Sequence, residues 1–108
     1  MIERLRTLRP HKIILFGSCA YGDIQPDNDI DVLVVTNSDD LPQNYQERNE
    51  LYLNVSRAIR DIRKHVPIDL IVHTKPMHKK FIELESMFAQ EILEKGKTLY
   101  EVDNERVA

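Results

Sequence analysis

The sequence predicts a layered α/β (α+β) fold, a small mixed sheet with helices packed against it. Three observations carry this. Apolar runs of strand length recur at Lys12–Phe16, Asp29–Thr36 and Ile68–Val72. Residues 44–65 and 77–95 carry apolar side chains at three- and four-residue steps, the period of a helix with one buried face. The first two strands are joined by a segment too short for a crossover helix, so they are expected as antiparallel neighbours. At 108 residues a single core is the expected limit, hence one domain over 1–108 with a loose tail from about 101.

Taken in order, Ile2, Leu5 and Leu8 alternate with Arg4, Arg6 and Arg9 at helical spacing, and Pro10 stops that helix. The run Lys12–Phe16 is halted by Gly17, after which Ser18 is placed to cap a short turn through Tyr21. Gly22 opens the polar loop Asp23–Asn28. From Asp29 to Thr36 the chain is apolar on both faces after its acidic start, so this strand is expected to be central and covered on both sides. In the long helix 44–65, Leu51, Val55, Ile59, Ile62 and Val66 form one stripe. Pro67 gives way to Ile68–Val72, a strand with one carboxylate set into it, and Thr74–Lys75–Pro76 reads as a break. In the helix 77–95, Phe81, Leu84, Phe88 and Ile92 share a face, Gly96 is the expected C-cap, and Thr98–Tyr100 an edge strand.

Composition excludes several classes. A formal charge of −3 and the absence of a Lys/Arg block argue against nucleic-acid binding. No apolar run approaches membrane-spanning length, and Met1–Arg4 begins no signal-peptide apolar region. With Cys19 as the lone cysteine a disulfide framework is ruled out, which fits a reducing compartment; a soluble, cytoplasmic protein is expected.

The chemistry concentrates at Gly17–Ser18 and at Asp29 and Asp31. Side chains alternate along a strand, so Asp29 and Asp31 project to one side while Ile30 and Val32 go to the other. Neighbouring acids repel unless a cation lies between them, and the usual one is a hard divalent ion with oxygen ligands. A glycine at a strand end lets the backbone approach a phosphate, the following turn points free N–H groups outward, and Ser18 adds a hydroxyl. Asp69, on the third strand, would complete a three-carboxylate cluster as a ligand or as the base that takes a proton from an attacking hydroxyl. In isolation Asp29 and Asp31 would read as a solvated acidic turn, and Asp69 as a strand-edge acid; Gly17–Ser18 at the right distance favours the metal. His11, His65, His73 and His78 lack metal-ligand spacing and are expected at the surface. Cys19 reads as a packing residue, Lys75, Lys79 and Lys80 as a solvated cluster, and Tyr21, Tyr45, Tyr52 and Tyr100 as ordinary aromatics.

Gly17–Ser18, ten residues, then Asp29-x-Asp31 resembles the signature of the DNA polymerase beta-like nucleotidyltransferase superfamily. Phe16–Gly17–Ser18, Gly22 and Asp29–Val34 look like the minimal nucleotidyltransferases, free-standing domains of about this size, and Asp69 matches the place of the third carboxylate. The resemblance implies the palm-like fold of that superfamily and Mg²⁺-dependent transfer of AMP from ATP at a two-metal site. Asp29, Asp31 and Asp69 would be the catalytic, metal-holding acids, and Gly17 and Ser18 the nucleotide-binding pair. Many such proteins are antitoxins paired with a helical, RNA-cleaving HEPN-type toxin, and some adenylylate a tyrosine of that toxin. A hetero-oligomer follows, with the acceptor hydroxyl on the partner chain, since no residues are left over for an acceptor domain. Cys19, Ala20 and Tyr21 stand where the family often has arginines, and Asn28 where it usually has serine. Hence the alternative: a catalytically weak or inactive module that neutralises its partner by binding. A subunit that senses ATP without turnover is a third reading.

Overall fold

The computed structural model describes residues 2–17 and 30–101. Four strands, β1 (Lys12–Phe16), β2 (Ile30–Val35), β3 (Ile68–His73) and β4 (Lys97–Glu101), form one sheet in the order β3-β2-β1-β4. β1 runs antiparallel to both β2 and β4, and β2 runs parallel to β3, so the sheet is mixed, as the short first connection predicts. β2 is central, and Val32, Leu33, Val34 and Val35 are all buried.

Period-2 alternation divides the core between the two faces. Ile13, Val32, Val34, Ile68, Leu70 and Val72 face Leu5 of α1 (Ile2–Arg6), Val55 of α2 (Tyr45–Ala58) and Ile59. Ile14, Phe16, Leu33 and Val35 face Phe81 of α4 (Lys75–Glu83) and Ile92 of α5 (Met87–Lys95). The layered architecture therefore has helices on both faces of a four-stranded sheet.

Three expected helices are interrupted. The first ends at Arg6 rather than at residue 9: Thr7, Leu8 and Arg9 close tighter turns onto Arg4, Leu5 and Arg6, and Arg9 takes a positive φ of 51°. The helix expected over 44–65 breaks at Ile59 (φ −117°, ψ 19°) into α2 and α3 (Arg60–Arg63). Ile59 is fully buried, and the bend lets the stripe Leu51, Val55, Ile62 and Val66 follow the twisted sheet. Arg63 braces the corner by donating to the Tyr52 hydroxyl at 2.9 Å and the Ser56 hydroxyl at 2.8 Å.

The helix expected over 77–95 is also two, with the break at Leu84–Ser86. Glu85 adopts a left-handed φ of 49°, and the Ser86 hydroxyl accepts from the Ala89 N–H at 3.1 Å to start α5 afresh. Leu84, expected on the buried face, is therefore 78% exposed. Thr74–Lys75–Pro76 is not a break: Thr74 is the N-cap of α4, accepting from the Met77 N–H at 3.3 Å, and Pro76 sits in the first turn, where its missing N–H costs nothing. Gly96 does cap α5, donating to the Ile92 carbonyl at 2.9 Å, but in an extended conformation.

Two histidines expected at the surface are packed inside instead. His78 is buried and His73 half-buried, with Nδ1 atoms 3.3 Å apart and the Phe81 ring against both. β3 parity points His73 toward α4, and His78, four residues after Thr74, lies on the same inner side. Burial, followed by the nearby His73, Lys12 and His11, pushes the His78 pKa down to about 4. His78 is therefore neutral when folded and gains a proton near pH 6.5 when unfolded. Stability is complete above pH 6.5 and falls as pH drops toward 4, by at most about 3 kcal/mol from this group. Thermal melts between pH 7 and pH 4.5 should show a steeper acid loss for the native chain than for His78→Leu.

Candidate active site

The end of β1 and the starts of β2 and β3 meet at one end of the sheet. The register places Phe16 opposite Asp31, and Asp31 opposite Asp69. Residues at equal register on neighbouring strands share a face, roughly 4.8 Å apart across the hydrogen-bonding direction. Asp31 and Asp69 therefore stand side by side, on the face that carries α4 and α5. The Ile30 N–H donates to the Pro67 carbonyl at 2.9 Å, which pins the beginnings of the two strands together. Ile68 and Leu70 flank Asp69 and are buried on the other face, the alternation expected of them. Asp31 is half-buried and Asp69 exposed.

Gly17 fixes the third side of this corner. Its φ of +74° is a left-handed conformation that suits glycine, and a Cβ built there would overlap the Asp31 carboxylate oxygen Oδ2 and lie 3.1 Å from Cγ. The Gly17 backbone is thus packed directly against the Asp31 carboxylate. Ser18 and Asp29, with Cys19, Tyr21 and Gly22, lie outside the described residues.

The donors that are described suit a hard cation. Two carboxylates on one face would repel each other, and Asp69 has no ion pair or hydrogen bond among the described residues. Oxygen donors of this kind match Mg²⁺ rather than a softer metal. No group of three or more metal-ligating side chains occurs among the described residues; the third acid of the expected cluster is Asp29.

Other polar features lie elsewhere. A cleft of about 690 Å³, lined by Leu8, Thr36, Asp40, Leu51, Asn54 and Thr74 among others, opens at the C-terminal end of β2, on the order of 15 Å along the strand from Asp31. Lys75, read from the sequence as part of a solvated cluster, pairs with Asp39 at 3.1 Å near that end. Sequence reasoning missed an aromatic wall beside the acids: Phe88 meets Phe16 edge-on, with ring centroids 5.6 Å apart. The signal was present in the helical spacing of Phe81 and Phe88, but the bearing of Phe88 on Asp31 follows only from the strand register.

Comparison with known proteins bears on the family and the fold. A family model described as polymerase beta, nucleotidyltransferase, matches residues 2–105. No curated protein matches the chain. Among solved structures, a toxin–antitoxin complex with AMP-PNP aligns over 96% of this chain and 73% of its own, with a TM-score of 0.54 and 23% identity. Two mutants of the toxin–antitoxin pair MntA–HpeT align over 96% of this chain and 72% of theirs, with TM-scores of 0.52 and 0.50 and identities of 20% and 24%. At these identities the likeness is one of fold. No described helix is long and apolar enough to cross a membrane.

Proposed function

The chain belongs to the polymerase beta nucleotidyltransferase family, and from that premise we propose that it transfers AMP from Mg²⁺-ATP to a hydroxyl of a partner protein, a tyrosine of a HEPN-type toxin, and acts as its antitoxin. The observation that carries this reading is the register pair Asp31–Asp69 with Gly17 packed against it. The similar toxin–antitoxin structures, one with AMP-PNP, support the partner and the nucleotide.

In this reading Asp29 and Asp31 hold the metal and Asp69 is the third ligand or the base. Mg²⁺, when bound, would polarise the phosphoryl oxygens and offset the charge of the leaving group. The backbone N–H groups after Gly17 and the Ser18 hydroxyl hold the triphosphate. Asp69, the more exposed of the two described acids, accepts the acceptor's proton. The freed oxygen bonds to the α-phosphorus, the bond from that phosphorus to the bridging oxygen breaks, and pyrophosphate leaves in line. Gly17 keeps the Asp31 carboxylate seated while this happens.

Intact mass spectrometry tests the proposal on the protein encoded by the adjoining gene, after incubation with this chain, ATP and Mg²⁺. The expected result is a mass increase of one or more AMP units, absent with Asp69→Asn. An unmodified partner held in a stable complex would instead support neutralisation by binding, the reading that the sequence Cys19–Ala20–Tyr21 favours.

A further inference from the structure

Resting on the AMP-transfer reading, we propose that Phe88 is the platform on which the purine of the nucleotide stacks, with the base over β1 and the acceptor hydroxyl over β3. Phe16 ends β1 opposite Asp31, and the Phe88 ring meets it edge-on with centroids 5.6 Å apart. Phe81 meets Phe88 from a second ring, also edge-on, at 5.8 Å. Edge-to-face contacts of this kind hold an aromatic side chain in one orientation. Phe16 is 8% exposed, whereas Phe88 keeps 42% of its surface open to solvent. The backbone holds the ring there too: Ser86 caps the start of α5, and Ala89 and Ile92 bury its inner face.

The order of the sheet assigns this ring to the base rather than to the acceptor. Asp69, Asp31 and Phe16 occupy successive strands in the order β3-β2-β1-β4. Gly17, from which the triphosphate site begins in the AMP-transfer reading, follows Phe16 directly, and its backbone lies against the Asp31 carboxylate. Phe88 therefore stands on the triphosphate side of Asp31, and Asp69, which takes the acceptor's proton, on the other. Other described rings are engaged or distant. Tyr52 and Tyr100 lie under the guanidinium groups of Arg63 and Arg6, and Phe81 packs on His73 and His78. Tyr45 opens α2 two residues before Glu47, which lines the cleft at the other end of β2. Stacking uses the π-face that every base carries, so the platform takes adenine and guanine alike.

The probes are ATP, GTP and inorganic tripolyphosphate, each with Mg²⁺, titrated by calorimetry into the native chain, Phe88→Leu and Phe88→Tyr. Tripolyphosphate supplies the phosphates without a base, and circular-dichroism melts confirm that each variant folds. The native chain is expected to bind both nucleotides at least about five-fold more tightly than tripolyphosphate. Phe88→Leu should lose at least about five-fold for both nucleotides and leave tripolyphosphate unchanged, while Phe88→Tyr keeps native affinities. A ring that only supports the fold would move all three ligands together. The platform is overturned, with AMP transfer left standing, by native affinity for nucleotides in Phe88→Leu, by equal weakening of all three ligands, or by a Phe88→Tyr as weak as Phe88→Leu. The same holds if the native chain binds tripolyphosphate as tightly as the nucleotides. No binding of any of the three by the native chain overturns the AMP-transfer reading and the platform with it.

Discussion

Asp31→Asn is expected to cut AMP transfer by at least about 100-fold while the chain stays folded. The carboxylate is half-buried at the start of a central strand, and asparagine keeps its shape while removing the charge that attracts a divalent cation. Asp69→Asn should lose activity to a similar degree. Because Asp69 is exposed and stands beside another acid, its neutralisation should also raise the melting temperature by a degree or two without Mg²⁺. Adding Mg²⁺ with ATP should reverse that order, since a ligand that binds only the folded native chain stabilises it. Turnover assays and paired melts check both effects, and activity retained in both variants would remove the assigned metal site.

Gly17→Ala is expected to destabilise the chain by about 2–3 kcal/mol and to lower activity by about 100-fold. The left-handed backbone costs a side-chain-bearing residue roughly 1–2 kcal/mol, and pushing Asp31 off its rotamer adds of order 0.5–1.5 kcal/mol. The activity loss follows from displacing a metal-holding carboxylate by about 1 Å. Part of the stability loss comes from one overlap, so it should be non-additive. Asp31→Ala placed in the Gly17→Ala background should recover the overlap component, leaving the backbone cost. Chemical denaturation of the four proteins in this cycle measures the coupling; strict additivity would mean that the glycine and the carboxylate are not in contact.

Much of this arrangement was legible in the sequence because its signals are local. β1 is bounded by Pro10 and Gly17, β2 opens on acids and continues as unbroken β-branched and leucine residues, and the parity of Ile68–Asp69–Leu70 separates the acid from the core. The short first connection forced an antiparallel pair. What the sequence hid is tertiary. Ile59 obeys the helical period on both sides of its break, with no glycine or proline to mark it. Glu85 does a job usually given to glycine, so the division between α4 and α5 carried only the faint signal of Ser86 as a cap. His73 and His78 looked like surface polar residues because burial of a neutral imidazole pair depends on Phe81 closing over it. The facing of Asp31 and Asp69 needed both parity and a register that no single strand encodes.

The central claim is that this corner of the sheet binds Mg²⁺-ATP. Calorimetric titration of ATP into the native chain, Asp31→Asn and Asp69→Asn, each with Mg²⁺ and with EDTA, tests it most directly. The expected result is binding by the native chain that strengthens at least about ten-fold with Mg²⁺, with loss of that metal dependence in Asp31→Asn. Equal, metal-independent binding by all three proteins, or none by the native chain, would contradict it.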